Sequence, residues 1–106
     1  MVEGPKVANL IDQIQYSPGS IVSKEIHRVK QGSITLFAFD NEQKLDEHSA
    51  PFDAVVQVLD GEAEIKIAGT PFRVIQGQFI IMPANRPHAV RAKGRMKMML
   101  TMIRSE

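Results

Sequence analysis

The chain has 106 residues, 43% apolar and 24% charged, the make-up of one ordinary globular domain. A formal net charge of +1 argues against a nucleic-acid or acidic-membrane partner, and the absence of cysteine removes disulfide scaffolds and thiolate metal sites. No apolar stretch approaches the ~20 residues of a membrane helix, and Met1 to Val7 lacks a basic region followed by an apolar run, so a cytoplasmic protein is expected.

In chain order, Val7, Leu10, Ile11 and Ile14 recur at i, i+3, i+4, i+7 and predict a short amphipathic helix ending at Ser17-Pro18-Gly19. Ile21 to Lys30 is β-rich but irregular and reads as an edge strand or arm, with His27 exposed or at an interface. These pieces make an N-terminal segment over 1–32. From Ser33 the pattern changes, and 33–106 reads as one barrel. Ile34 to Asp40, Ala54 to Leu59, Glu62 to Ala68, Phe72 to Ile75, Gln78 to Met82, His88 to Ala92 and Met96 to Ile103 are short strand candidates separated by turn residues. Many short strands with no helix between them indicate an antiparallel sandwich or barrel.

Asp60-Gly61, set between two strand-like runs, predicts a two-residue hairpin, because both turn positions need positive φ. That register pairs Val58 with Ala63, Val56 with Ile65 and Ala54 with Ile67, one wholly apolar face that should point inward. Gln57 falls on the outer face with Glu62, Glu64 and Lys66. After Pro87, His88, Val90 and Ala92 share a face, with charged Arg91 and Lys93 opposite, so His88 should point inward too. His48 shares a face with Ala50. The two histidines are therefore expected to converge in one apolar cavity.

These residues resemble the cupin superfamily, in particular its small single-domain members. The second cupin motif, Gly-x5-Pro-x-Gly-x2-His-x3-Asn, is matched at Gly77, Pro83 and His88, with Asn85 in place of a glycine. The first, Gly-x5-His-x-His-x(3,4)-Glu-x6-Gly, keeps His48 and Gly61. The resemblance implies an all-β fold, an antiparallel double-stranded β-helix (the cupin or jelly-roll barrel), preceded here by the short helix and arm. It also implies a metal site on the motif residues. Of the four usual ligands only His48 and His88 remain; Ala50 stands at the second histidine position and Ala54 at the glutamate position. Ala92 replaces the final asparagine and Glu42 the leading glycine.

Two imidazoles are a weak set for a divalent transition metal (Zn, Fe, Mn or Ni), since structural zinc takes four protein ligands and catalytic zinc three. A shared ion would require the two side chains to approach within ~4–5 Å. Glu47 and Asp53 are the nearest carboxylates, and alternation turns both away unless a bulge near Pro51 re-aims Asp53. Met96, Met98 and Met102 share a strand face with Leu100 and read as core, with Met82 joining them. Tyr16, the one tyrosine, lies outside the barrel, and Arg86 in the rigid Pro83 to Pro87 loop reads as solvated.

The function expected is binding of a small molecule in the barrel cavity, marked by His48 and His88 and lined by Ala50, Ala54, Val56, Val90 and Ala92. A weakly held divalent metal would assist. The alternative is a metal-dependent cupin enzyme of oxygenase or isomerase type; a plain dimeric scaffold is a third. Outward Val55 and Leu59, with the arm, suggest a covered outer face and a homodimer.

Overall fold

The computed structural model describes residues 4–104. Seven strands follow one short 3₁₀ turn: β1 (Ile21–Val29), β2 (Gly32–Phe39), β3 (Lys44–His48), β4 (Phe52–Ile67), β5 (Thr70–Ile75), β6 (Phe79–Met82) and β7 (His88–Arg104). All neighbouring strands are antiparallel. The outer ends of the two segments read from the sequence, 1–3 and 105–106, lie outside the described residues.

Two long strands organise everything else. β4 and β7 pair from Phe52 opposite Arg104 to Ile67 opposite His88. Their flanking partners change midway. The first half of β4 pairs with β6 and the second half with β5. β7 takes β3 beside its first half and β2 beside its second. The ribbon thus bends into two sheets: β1, β2, late β7, early β4 and β6 in one, and β3, early β7, late β4 and β5 in the other. Their inner faces share one core that includes Phe39, Val56, Val58, Ile65, Val90 and Met98.

The bend corrects the hairpin reading. Asp60-Gly61 does not reverse the chain; β4 runs straight through it. Gly61 does take a positive φ of 78°, as the turn argument required, but it uses it in a bulge. The register against β7 slips between Val58 and Asp60 and again between Asp60 and Glu62. One consequence survives the correction. The bulge flips the parity of the inward face, so Ala54, Val56 and Val58 are buried before it, and Ala63 and Ile65 after it. The faces are those the alternation predicts, but the cross-strand partners are not. Val58 lies opposite Met98, and Ala63 lies between Val74 and Ala92. The true hairpin turn of this strand is Ala68-Gly69, both at positive φ. The separate strands expected at His88 to Ala92 and Met96 to Ile103 are one strand, with Gly94 (φ 78°) inside it.

The predicted N-terminal helix is reduced to the single turn Leu10–Gln13. A helix there would leave most of its apolar stripe without a partner, and a short helix cannot stand alone. Val7 is fully exposed, whereas Ile14 is buried. Extended backbone at Ile14 lets it and Tyr16 lie across the outer face of the first sheet, against Leu36, Ala38, Val22, Leu59 and Met99. Polar contacts hold this strap. The Tyr16 hydroxyl donates to Asp60 Oδ2 at 2.6 Å, and Lys97 Nζ donates to the Ile11 carbonyl at 2.9 Å. Residues 21–29 form the edge strand anticipated for the arm. No helix among the described residues is long and apolar enough to cross a membrane.

Candidate functional site

His48 closes β3 and His88 opens β7, and the register sets them directly opposite each other. Their rings touch edge to face, with centroids 4.5 Å apart and planes at 68°. His88 is buried, 8% exposed, whereas His48 stands at the exposed rim. Each ring is oriented by its own chain. His48 Nδ1 lies 3.1 Å from the carbonyl of Asp46, and His88 Nδ1 lies 3.3 Å from the carbonyl of Arg86. A carbonyl only accepts, so each Nδ1 carries a proton, and in a neutral ring Nε2 is left as the acceptor. Burial, reinforced by the neighbouring His48 ring, holds the His88 pKa below the usual histidine range. His88 is therefore neutral at physiological pH.

The pair opens onto a cavity of about 160 Å³. Buried Ala54, Met82, His88, Val90 and Met98 form its floor; half-buried Phe37, Leu45, Ala50, Phe52, Leu100 and Met102 complete the wall beneath His48. Among the described residues lining it, the two imidazoles are the only polar side chains. Ala50, Ala54 and Val90 line it as expected. Val56 and Ala92 do not: both are 0% exposed and sealed in the packed core. Alternation assigns a residue to the inner face but does not say how far along the barrel the void extends. Phe37, Leu45 and Phe52 went unassigned in the sequence, although inward Phe39 implies an inward Phe37 two residues earlier. Met82, Met98 and Met102, read there as core, reach the cavity wall, while Met96 is sealed in the core.

Asp53 stays outside. It is exposed, and its Oδ1 accepts from the Ala84 amide at 2.9 Å, tying down the Pro83 to Pro87 loop that presents His88. Glu47 and Arg86 are exposed, and Tyr16 belongs to the strap on the opposite face. Among the described residues, no three side chains of histidine, cysteine, aspartate or glutamate converge. The donors present therefore do not fit a divalent centre of three or four nitrogen and carboxylate ligands.

Two opposed antiparallel sheets around a histidine-marked interior define a small double-stranded β-helix barrel. The cupin domain model, Cupin_2, matches residues 35–104, and the chain belongs to that family. A conserved protein of unknown function from Streptococcus pyogenes is 35% identical, with a TM-score of 0.91 over 99% of this chain and 92% of that one. A cupin 2 conserved barrel domain protein from Leptotrichia buccalis is 40% identical, with a TM-score of 0.89 over 92% of this chain and 47% of that one. A cupin superfamily protein from Desulfitobacterium hafniense shares the fold, with a TM-score of 0.90 at 22% identity over 96% of this chain and 94% of that one. No curated protein matches the chain.

Proposed function

We propose that this cupin binds a small, uncharged, largely apolar molecule in the cavity beneath His48. One observation carries the reading: a void of about 160 Å³ with apolar walls and two imidazoles as its polar groups. A dry apolar cavity of about 150 Å³ accommodates a benzene-sized molecule. Nε2 of His88 accepts a hydrogen bond, so a ligand carrying one hydroxyl suits the site better than a plain hydrocarbon. A charged organic ligand would lose its hydration with no countercharge inside. A cytoplasmic location belongs to the same reading.

Phenol is a direct probe. Titration followed by amide chemical shifts should move Ala54, His88 and Met102 together. Ala50→Leu should weaken binding at least ~tenfold by filling the wall, with little change in melting temperature. Unchanged phenol affinity in Ala50→Leu would remove the cavity as the binding site. The enzyme alternative rests on the same two histidines and would need a further donor.

We also propose that the chain forms a homodimer through the outer face of the first sheet. Register places Val29, Ile34, Ile103, Val55, Phe79 and Ile81 on that face, across five strands, beyond the edge of the strap. Ile81 is 55% exposed and Phe79 64%. Five strands ~4.8 Å apart and about three residue rows give roughly 500 Å². Two copies would then bury about 1,000 Å², the threshold that a biological interface should reach. Asp53, opposite Ile103, is the charged side chain among these apolar ones, and a largely apolar face suits a second identical surface better than a charged partner. Sedimentation equilibrium should give twice 11.8 kDa, and Ile81→Glu should give 11.8 kDa. A wild-type mass of 11.8 kDa at every concentration would refute the dimer.

A further inference from the structure

The cavity holds donors of a second kind. Met82 on β6 and Met102 on β7 both pair with Ala54 on β4. The three form one row across adjacent strands, all facing inward, with the small alanine in the middle. The position that carries a carboxylate in metal-binding cupins thus holds only a methyl group, flanked by two thioethers. Both methionines line the same void as His48 and His88. Each has three rotatable bonds beyond its Cα, so its sulfur can move toward the imidazoles.

Two physical arguments then agree on a metal class. Thioethers are soft, neutral donors that select Cu(I) and add little for Zn(II), Mn(II) or Fe(II). The cavity also has no anion to offset an ion's charge. Desolvation cost rises with the square of charge, so a monovalent ion loses only about a quarter of what a divalent one loses on entering. The His48 and His88 rings are held in place through their Nδ1 bonds to backbone carbonyls, the arrangement that orients ligand histidines and leaves Nε2 for a metal.

We infer that His48 and His88, together with the thioethers of Met82 and Met102, form a Cu(I) site. The inference rests on this cavity being the working site of the protein. It replaces the divalent centre that the family motif suggests with a soft monovalent one.

The test is an anaerobic titration of Cu(I) alone against a chromophoric Cu(I) chelator. Wild-type protein should withhold one equivalent, and an equal concentration of Zn(II) should not release it. X-ray absorption should show nitrogen and sulfur neighbours together. The Met82→Leu/Met102→Leu variant keeps side-chain volume and hence the fold. It should lose the sulfur signal and at least ~tenfold in affinity, and His88→Ala should lose binding altogether. A nitrogen-only shell, equal affinity in the double leucine variant, or displacement by Zn(II) would overturn the inference. Phenol binding distinguishes the two levels. Protein that binds phenol but no Cu(I) overturns the copper site and leaves the small-molecule reading intact; protein that binds neither removes both.

Discussion

Replacing Ala50 by histidine and Ala54 by glutamate should turn this protein into one that holds a divalent transition metal. Both positions line the cavity beside His48 and His88. The double variant therefore places three imidazoles and one carboxylate around a common void, a complete set for zinc. Without metal the change should harm the protein. Ala54 is 4% exposed, and a carboxylate there loses its hydration with no cationic side chain lining the cavity. It will either protonate or cost several kcal/mol. Metal should reverse the sign. An ion that binds only the folded state, at ~1,000 times its dissociation constant, adds about 4 kcal/mol. For a domain of this size that corresponds to a melting temperature rise of roughly 15 °C or more. Thermal melts with chelator and with Zn(II) would measure it. The wild-type chain should show no comparable Zn(II) effect. If the double variant melted at the same temperature under both conditions, the alignment of Ala50 and Ala54 with ligand positions would be wrong.

Gly61→Ala should be strongly destabilising, costing roughly 3 kcal/mol or more. Two effects combine. Alanine at a φ of 78° is strained by about 1–2 kcal/mol. A Cβ at that position would also collide with the backbone carbonyl oxygen of Arg95, on the strand that β4 must follow. Backbone cannot give way as a side-chain tip can, so the bulge has to open. Gly94 supplies the internal control. It has the same φ of 78°, and a Cβ there meets nothing within 4 Å. Gly94→Ala should therefore cost only the conformational part, about 1–2 kcal/mol. Urea unfolding of the two variants separates the terms, and equal losses would show that the Arg95 contact is unimportant. The bend also governs the site. It folds early β4, with Ala54, over early β7, with His88. Any Gly61→Ala protein that does fold should thus bind phenol more weakly than Gly94→Ala.

Several features of this fold are readable along the chain because they depend on local chemistry. Alternation of apolar and polar residues places Ala54, Val56, Ala63, Ile65, His88 and Val90 inside and Gln57, Arg91 and Lys93 outside, as the burial confirms. Spacing of Gly77, Pro83 and His88 points to the cupin family, whose domain model matches. Other readings fail where a local signal has two tertiary uses. Asp60-Gly61 needs positive φ for a hairpin and equally for a bulge. The strand that decides between them begins 27 residues beyond Gly61, at His88. The helical spacing of Val7 to Ile14 finds no groove to fill, and the outer sheet takes the segment as an extended strap instead. β3 escapes notice because Lys44–His48 has one apolar residue, Leu45, and owes its strand to pairing with β7.

By itself, then, the sequence determined which side chains share the inward face of the strands it identified and that His48 and His88 are on that face, while leaving open whether Asp53 joins them. Only the tertiary structure decided that His48 meets His88 ring against ring, and that Ala54 sits between Met82 and Met102. The reason is physical. The period of a strand is set by its own backbone, but its cross-strand neighbours are set by the register of segments far apart in the chain, which no local pattern encodes.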